Sequence, residues 1–202
     1  MEALSLARQA AAGPRRAVAR LARPLGSWLA ALAVVGAGAP AAWAATPDGS
    51  VESVVKAAYL YKFTPFIEWP SSAFAGPSSP FTICVLGADP FGASLDQVLA
   101  GHRVGERPVR VRRLQITDQP EDCQVLYAAG SKAQVGAALT KVKGSPVLTV
   151  TEQSLGVSGA VVQFYVKNGH VRFTLDPAAA QANGMVISAK LLSLAAALQG
   201  EG

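Results

Sequence analysis

The chain has 202 residues, half of them apolar, with 18 Lys and Arg against 13 Asp and Glu, two cysteines and two histidines. Five of the arginines and one glutamate fall in residues 1–44, so the rest carries 13 basic and 12 acidic side chains. The whole-chain pI of about 9.5 therefore belongs to the first segment and is no ground for nucleic-acid binding.

Within that segment, Arg15, Arg16, Arg20 and Arg23 make a basic start, and Leu25 to Ala39 is an apolar run broken only by Gly and Ser. Ala42-Trp43-Ala44 then supplies an A-x-A cleavage site. The pattern predicts a cleaved signal peptide over residues 1–44, a mature chain starting near Ala45, and a periplasmic destination. The apolar run falls short of the roughly 20 residues a membrane span needs, which makes an uncleaved anchor the alternative. Arg15-Arg16 hints at twin-arginine export, but Ala17-Val18-Ala19 matches that signal weakly, so the export route stays open. Residues 45–202 suffice for a single domain burying roughly 68–70% of its unfolded surface. Two cysteines in an exported chain, Cys84 and Cys123, are candidates for one disulfide, with two buried free thiols as the alternative.

Lys56 to Pro70, KAAYLYKFTPFIEWP, packs five of the fourteen aromatic residues into the eleven positions from Tyr59 to Trp69. A helix from Val51 puts Tyr59, Phe63 and Phe66 on one face and Val54, Ala58 and Tyr61 on roughly the opposite one. A helix apolar on both faces is either sandwiched in a core or keeps one face for a partner. Pro65 ends or kinks the helix, because it has no N–H to donate and pushes Thr64 out of the helical region. Glu68 follows among bulky apolar groups. Tyr59, Tyr61, Phe66, Glu68 and Trp69 are the candidate partner-binding residues.

Ser71 to Pro80 reads as a loop. FTICVL, residues 81–86, is a continuous apolar run expected to form a doubly covered strand. Gly87 to Gly92 turns into a short helix through Leu99, with Pro90 expected in its first turn. That turn lacks both G-x-G-x-x-G and Gly-Lys-Ser/Thr, so it carries no nucleotide signature. VRVRRL, residues 109–114, alternates like an edge or half-exposed strand. CQVLYA, residues 123–128, is a second buried strand. Ser131 caps a helix to about Leu139, and PVLTVT, residues 146–151, is a third buried strand. Residues 160–166 and 170–175 are strands joined by Asn168-Gly169, a strong hairpin signal. Asp176-Pro177 opens a last helical region, interrupted at Gly184, with Leu191, Leu194 and Leu198 as its inward stripe. The element order predicts an α/β fold: a single three-layer domain, a mostly parallel central sheet, a C-terminal β-hairpin and helices on both faces.

Catalytic patterns are missing. His102 and His170 have no carboxylate or thiolate at metal-ligand spacing, no G-x-S-x-G elbow occurs, and Glu68 lacks a partner carboxylate. The reading is of a protein without catalytic residues, metal or cofactor.

KAAYLYKFTPFIEWP, FTICVLGADPFG, CQVLYA, PVLTVTE, GHVRFTLD and AAAQANGMVISAKLLSLA follow one another across nearly all of residues 51–198. In this order and spacing they resemble the YfiR/HmsC family of exported proteins. The resemblance implies a periplasmic repressor that binds the periplasmic sensor domain of an inner-membrane diguanylate cyclase. Such a repressor keeps cyclic-di-GMP and biofilm output low. It also implies release by an OmpA-like outer-membrane partner or by redox and envelope stress, and an α/β domain that forms a homodimer. Cys84 and Cys123 match a family cysteine pair. The further pair that some relatives carry near the C-terminal hairpin is absent, and Cys123-Gln124 stands where the family strand normally has Cys-His. A second reading, a periplasmic small-molecule receptor, places a ligand at the carboxyl ends of the strands, near Gly87 to Phe91 and Gly130.

Overall fold

The computed structural model describes residues 50–200; the expected export segment, residues 1–44, and the expected start at Ala45 lie outside them. Helix α1 (Val51–Lys62) begins at Ser50, whose hydroxyl accepts from the Ser53 amide at 3.1 Å. Glu52 in the first turn and Lys62 in the last both complement the helix dipole. The helix stops ahead of Pro65, and a single 3₁₀ turn, Thr64–Phe66, carries the chain onward. The expectation of two apolar helical faces is corrected here. Ala57, Leu60 and Phe63 are buried while Val51 is 82% and Val54 38% exposed, so one face packs and the other meets solvent. Phe66 lies in the turn and shares no helical face with Tyr59.

The two-residue strand β1 (Ile67–Glu68) leads to β2 (Phe81–Gly87), α2 (Ala93–Leu99), β3 (Arg103–Val104), β4 (Arg107–Leu114) and β5 (Val125–Ala129). Then come α3 (Lys132–Lys141), β6 (Leu148–Glu152), β7 (Val162–Lys167), β8 (His170–Leu175), α4 (Pro177–Ala182), β9 (Val186–Ile187) and α5 (Ala189–Gly200). Seven strands form one sheet in the order β3-β4-β2-β5-β6-β7-β8. The inner pairs are parallel; β3 with β4 and β7 with β8 are antiparallel. The α/β, mostly parallel reading of the sequence therefore holds. VRVRRL is half-exposed as expected, and β3 pairs only with Arg107 and Pro108 ahead of it.

Strand periodicity sorts the apolar residues into two clusters. Phe81, Ile83 and Val85 of β2 join Val125 and Tyr127 of β5 and buried residues of α1, α2 and α5. Cys84 and Leu86 join Leu126, Ala128 and the α3 residues Val135, Ala138 and Leu139. Helix α3 is held by a capping box: Ser131 accepts from the Gln134 amide, and the Gln134 side chain accepts from the Ser131 amide. Asp176 caps α4, with Pro177 at its first position. Asn168 (φ 53) and Gly169 (φ 74) turn β7 into β8 with the positive φ pair that a two-residue turn demands.

Two local expectations fail. Pro90 lies ahead of α2 rather than in its first turn; Asp89 there accepts from the Phe91 and Gly92 amides and makes its own turn. On α5 Leu191, Ala195 and, less deeply, Leu198 face inward, and Leu194 is 46% exposed. Burial here selects i and i+4, which put the small alanine against the core and turn the leucine out.

Candidate functional site

The end of α1, the turn after it, β3 and α5 enclose an open cavity of about 430 Å³. Phe63, fully buried, anchors its wall and meets Phe173 edge-on at 4.9 Å. Tyr59 is half-buried, stacked on Phe63 at 5.7 Å and edge-on to Phe173 at 5.5 Å. Tyr61 donates its hydroxyl proton to the Arg103 carbonyl at 3.0 Å and meets the His102 ring at 4.5 Å. Phe66 is half-buried with Lys190 5.8 Å from its ring centre. Besides these rings the lining includes Lys62, Thr64, Arg103 and the half-exposed Leu194, and no carboxylate.

Three of the five sequence-derived candidates, Tyr59, Tyr61 and Phe66, thus converge on one cavity. The other two do not line it. Trp69 packs edge-on against Phe81 at 5.1 Å, with its ring N–H buried and without a hydrogen-bond partner. Glu68 is exposed rather than set among apolar groups, because β1 pairs antiparallel with β9 and directs it outward opposite Val186. The Ser188 amide extends that pairing to the Phe66 carbonyl at 2.9 Å. These few bonds tie the aromatic stretch to the start of α5, which closes the cavity from the other side.

Beneath α1 lies a charged cluster absent from the sequence reading. Lys56, buried on α1, reaches Oε1 of Glu52 at 2.6 Å and Oε1 of Glu152 at 2.7 Å. The Tyr127 hydroxyl donates to that same Glu152 oxygen at 2.7 Å. Burial pushes the Tyr127 phenol well above its usual range, and the Glu152 charge adds to the shift. The Glu52–Lys56 spacing of four residues was a legible clue; the partnership with Glu152, 96 residues on, was not.

Cys84 and Cys123 form a disulfide with Cα atoms 5.8 Å apart, and both are buried. Gln124 beside it is buried too; its Oε1 accepts from the Thr82 amide at 2.7 Å and its Nε2 donates to the Ala73 carbonyl at 2.6 Å. Gln124 therefore stitches the start of β2 to the loop before it.

At the strand ends expected to hold a ligand, Gly87 to Pro90 and Gly130 are exposed. Gly87 (φ 84) lies so near β5 that a Cβ there would sit 2.1 Å from the Ala129 carbonyl oxygen. Arg113 clamps the following loop through Asp89 at 2.7 Å, Asp96 at 2.6 Å and the Gly92 carbonyl at 2.7 Å. Hydrogen bonding to Arg113 holds the Asp96 carboxyl below the usual range. His102 and His170 are exposed, and among the described residues no group of His, Cys, Asp and Glu is arranged to hold a metal. No described helix is long and apolar enough to cross a membrane.

A family model described as YfiR/HmsC-like matches residues 53–196. No curated protein matches the chain. The match covers most of α1, most of α5 and every strand and helix between them, including the aromatic cavity and both cysteines, and the chain belongs to the YfiR/HmsC-like family.

Proposed function

We propose that this protein is a non-enzymatic periplasmic regulator that binds the periplasmic sensor domain of an inner-membrane diguanylate cyclase and represses it. Cyclic-di-GMP and biofilm output stay low while the two are bound. Membership of a regulatory family supports the reading. The observation that carries it is the cavity at the end of α1, where Tyr61 and Phe66 stand half-exposed on a rigid frame. Half-buried aromatic anchors of this kind dominate protein–protein interface energies. The buried disulfide fits an oxidising compartment. An OmpA-like outer-membrane protein acting as a releasing competitor, and a homodimer as the repressing unit, complete the proposal.

The test is deletion of the gene, followed by intracellular cyclic-di-GMP and biofilm measurements and a pull-down from an envelope fraction. Raised cyclic-di-GMP and capture of a membrane cyclase are expected. Unchanged cyclic-di-GMP after deletion would sink the reading.

A small-molecule receptor is the second reading, and one observation favours it. The cavity volume lies within the range of about 300–1,000 Å³ typical of ligand sites. Its place is between α1 and α5 rather than at the strand ends near Gly87 and Gly130.

A further inference from the structure

The chemistry of the aromatic cavity narrows what it can take up. Its walls are largely apolar: the rings of Phe63, Phe66, Phe173 and Tyr59, with Leu191 and Leu194. The Tyr61 hydroxyl already donates to the Arg103 carbonyl. The polar side chains left in the lining are Tyr59, Thr64, Lys62 and Arg103, so the net charge of the lining is positive. A sugar, nucleotide or other many-handed polar molecule needs hydrogen-bond partners along its length, and burying it here would leave its groups unpaired. A flexible hydrocarbon needs none. Lys62, together with Arg103 and its Glu106 partner 3.7 Å away, leaves a net positive charge that favours an anion beside that hydrocarbon.

We propose that the cavity binds one free anionic amphiphile, a medium-chain fatty acid or its chemical equivalent. Its chain lies against Phe66, Phe173 and Leu194, and its head group lies at Lys62 and Arg103. Occupancy then blocks the surface on which the cyclase sensor domain docks, so the amphiphile acts as a releasing signal; this second half rests on the repressor reading. Phosphatidyl lipid in a membrane shares the chemistry, but a single cavity between α1 and α5 suits one detached chain.

Calorimetric titration of the exported protein with decanoate, kept below micellar concentration, tests the site. Saturable one-site binding is expected, weakening about fourfold for each methylene removed in a decanoate-to-hexanoate series. Decanol should bind more weakly than decanoate, and Lys62→Ala should cost about two- to fivefold. Leu194→Trp, at a half-exposed position, should abolish binding while leaving the ligand-free melting midpoint in place. If that variant folds poorly, Lys62→Glu and the chain-length series decide instead. Absent saturation, indifference to chain length, or wild-type affinity in a folded Leu194→Trp protein each overturns the proposal. So does sedimentation with phosphatidylglycerol vesicles that decanoate does not reverse. The two readings fail separately: decanoate binding with no cyclic-di-GMP effect on gene deletion sinks the repressor, and repression without decanoate binding sinks the amphiphile site.

Discussion

Lys56 of α1 and Glu152 at the end of β6 meet at 2.7 Å, and this contact fixes the helix that carries the aromatic cavity to the middle of the sheet. Lys56 is buried, Glu152 partly so, and Tyr127 donates to the same carboxylate oxygen. A charge held in such a place depends on its partners, because water cannot replace them.

Lys56→Met should therefore destabilise the fold by about 3 kcal/mol, since it leaves Glu152 without its cation. Glu152→Gln should cost less, because Glu52 still lies 2.6 Å from the Lys56 ammonium. The double variant should recover part of the loss. Chemical denaturation of the four proteins measures the coupling; strictly additive losses would show that the pair is no unit.

Tyr127 gives the same cluster a pH signature. Its phenol is held above the usual value of about 10, so the folded chain keeps a proton that the unfolded chain releases. Stability from this group is complete below pH 10 and declines as pH rises further. Tyr127→Phe should flatten that alkaline decline relative to the parent, at the cost of one hydrogen bond at neutral pH. Melting midpoints of both proteins between pH 8 and pH 11 provide the check, and parallel curves would refute the assignment.

The disulfide should contribute about 2–4 kcal/mol, chiefly by restricting the unfolded chain. It closes a sequence separation of 39 residues, and both sulfurs sit in the cluster beneath α3. Cys84→Ser or Cys123→Ser should lower the melting midpoint by about 10 °C. Unreduced, denatured protein should show no titratable thiol. Two thiols in that assay would remove the bond and with it the compartment argument.

Much of this architecture was legible because it is written locally. Ser131 announces α3 as its cap, Asn168-Gly169 announces the turn between β7 and β8, and FTICVL and CQVLYA read as buried strands from composition alone. Most of the misses are tertiary, the Asp89 turn ahead of α2 being a local one. Nothing near Glu68 says that it pairs opposite Val186, more than a hundred residues later, and that pairing turns its side chain to solvent. Apolarity predicted Leu194 inward, whereas helix phase set by Leu191 and Ala195 turns it out to the cavity edge. Lys56 reads as a surface residue until its two acid partners are in place. For the candidate site, the aromatic stretch was legible as one block, but its division into wall, rim and core was not.

That division sharpens the functional prediction. Tyr59 contacts Phe63, Phe164 and Phe173, and Trp69 packs on Phe81, so both support the core. Tyr59→Ala and Trp69→Ala should destabilise the protein by about 3–5 kcal/mol or somewhat less, given their partial exposure. Tyr61 and Phe66 differ. Both pack on the edge of the same core, but Tyr61 has the Arg103 carbonyl and the exposed His102 as its polar and ring contacts, and Phe66 has Lys190 at the rim. Tyr61→Ala and Phe66→Ala should keep most of the melting midpoint, yet each should cost about 2 kcal/mol or more of partner binding if it is a central anchor. In cells, both variants should raise cyclic-di-GMP and biofilm toward the level of the gene deletion, at unchanged protein abundance. The readout is cyclic-di-GMP per cell, set beside a melting curve and an immunoblot for each variant. Folded, abundant Tyr61→Ala and Phe66→Ala proteins that repress as well as the parent would place the docking surface away from this cavity. The C-terminal strand pair and α5 would then be the next surface to test.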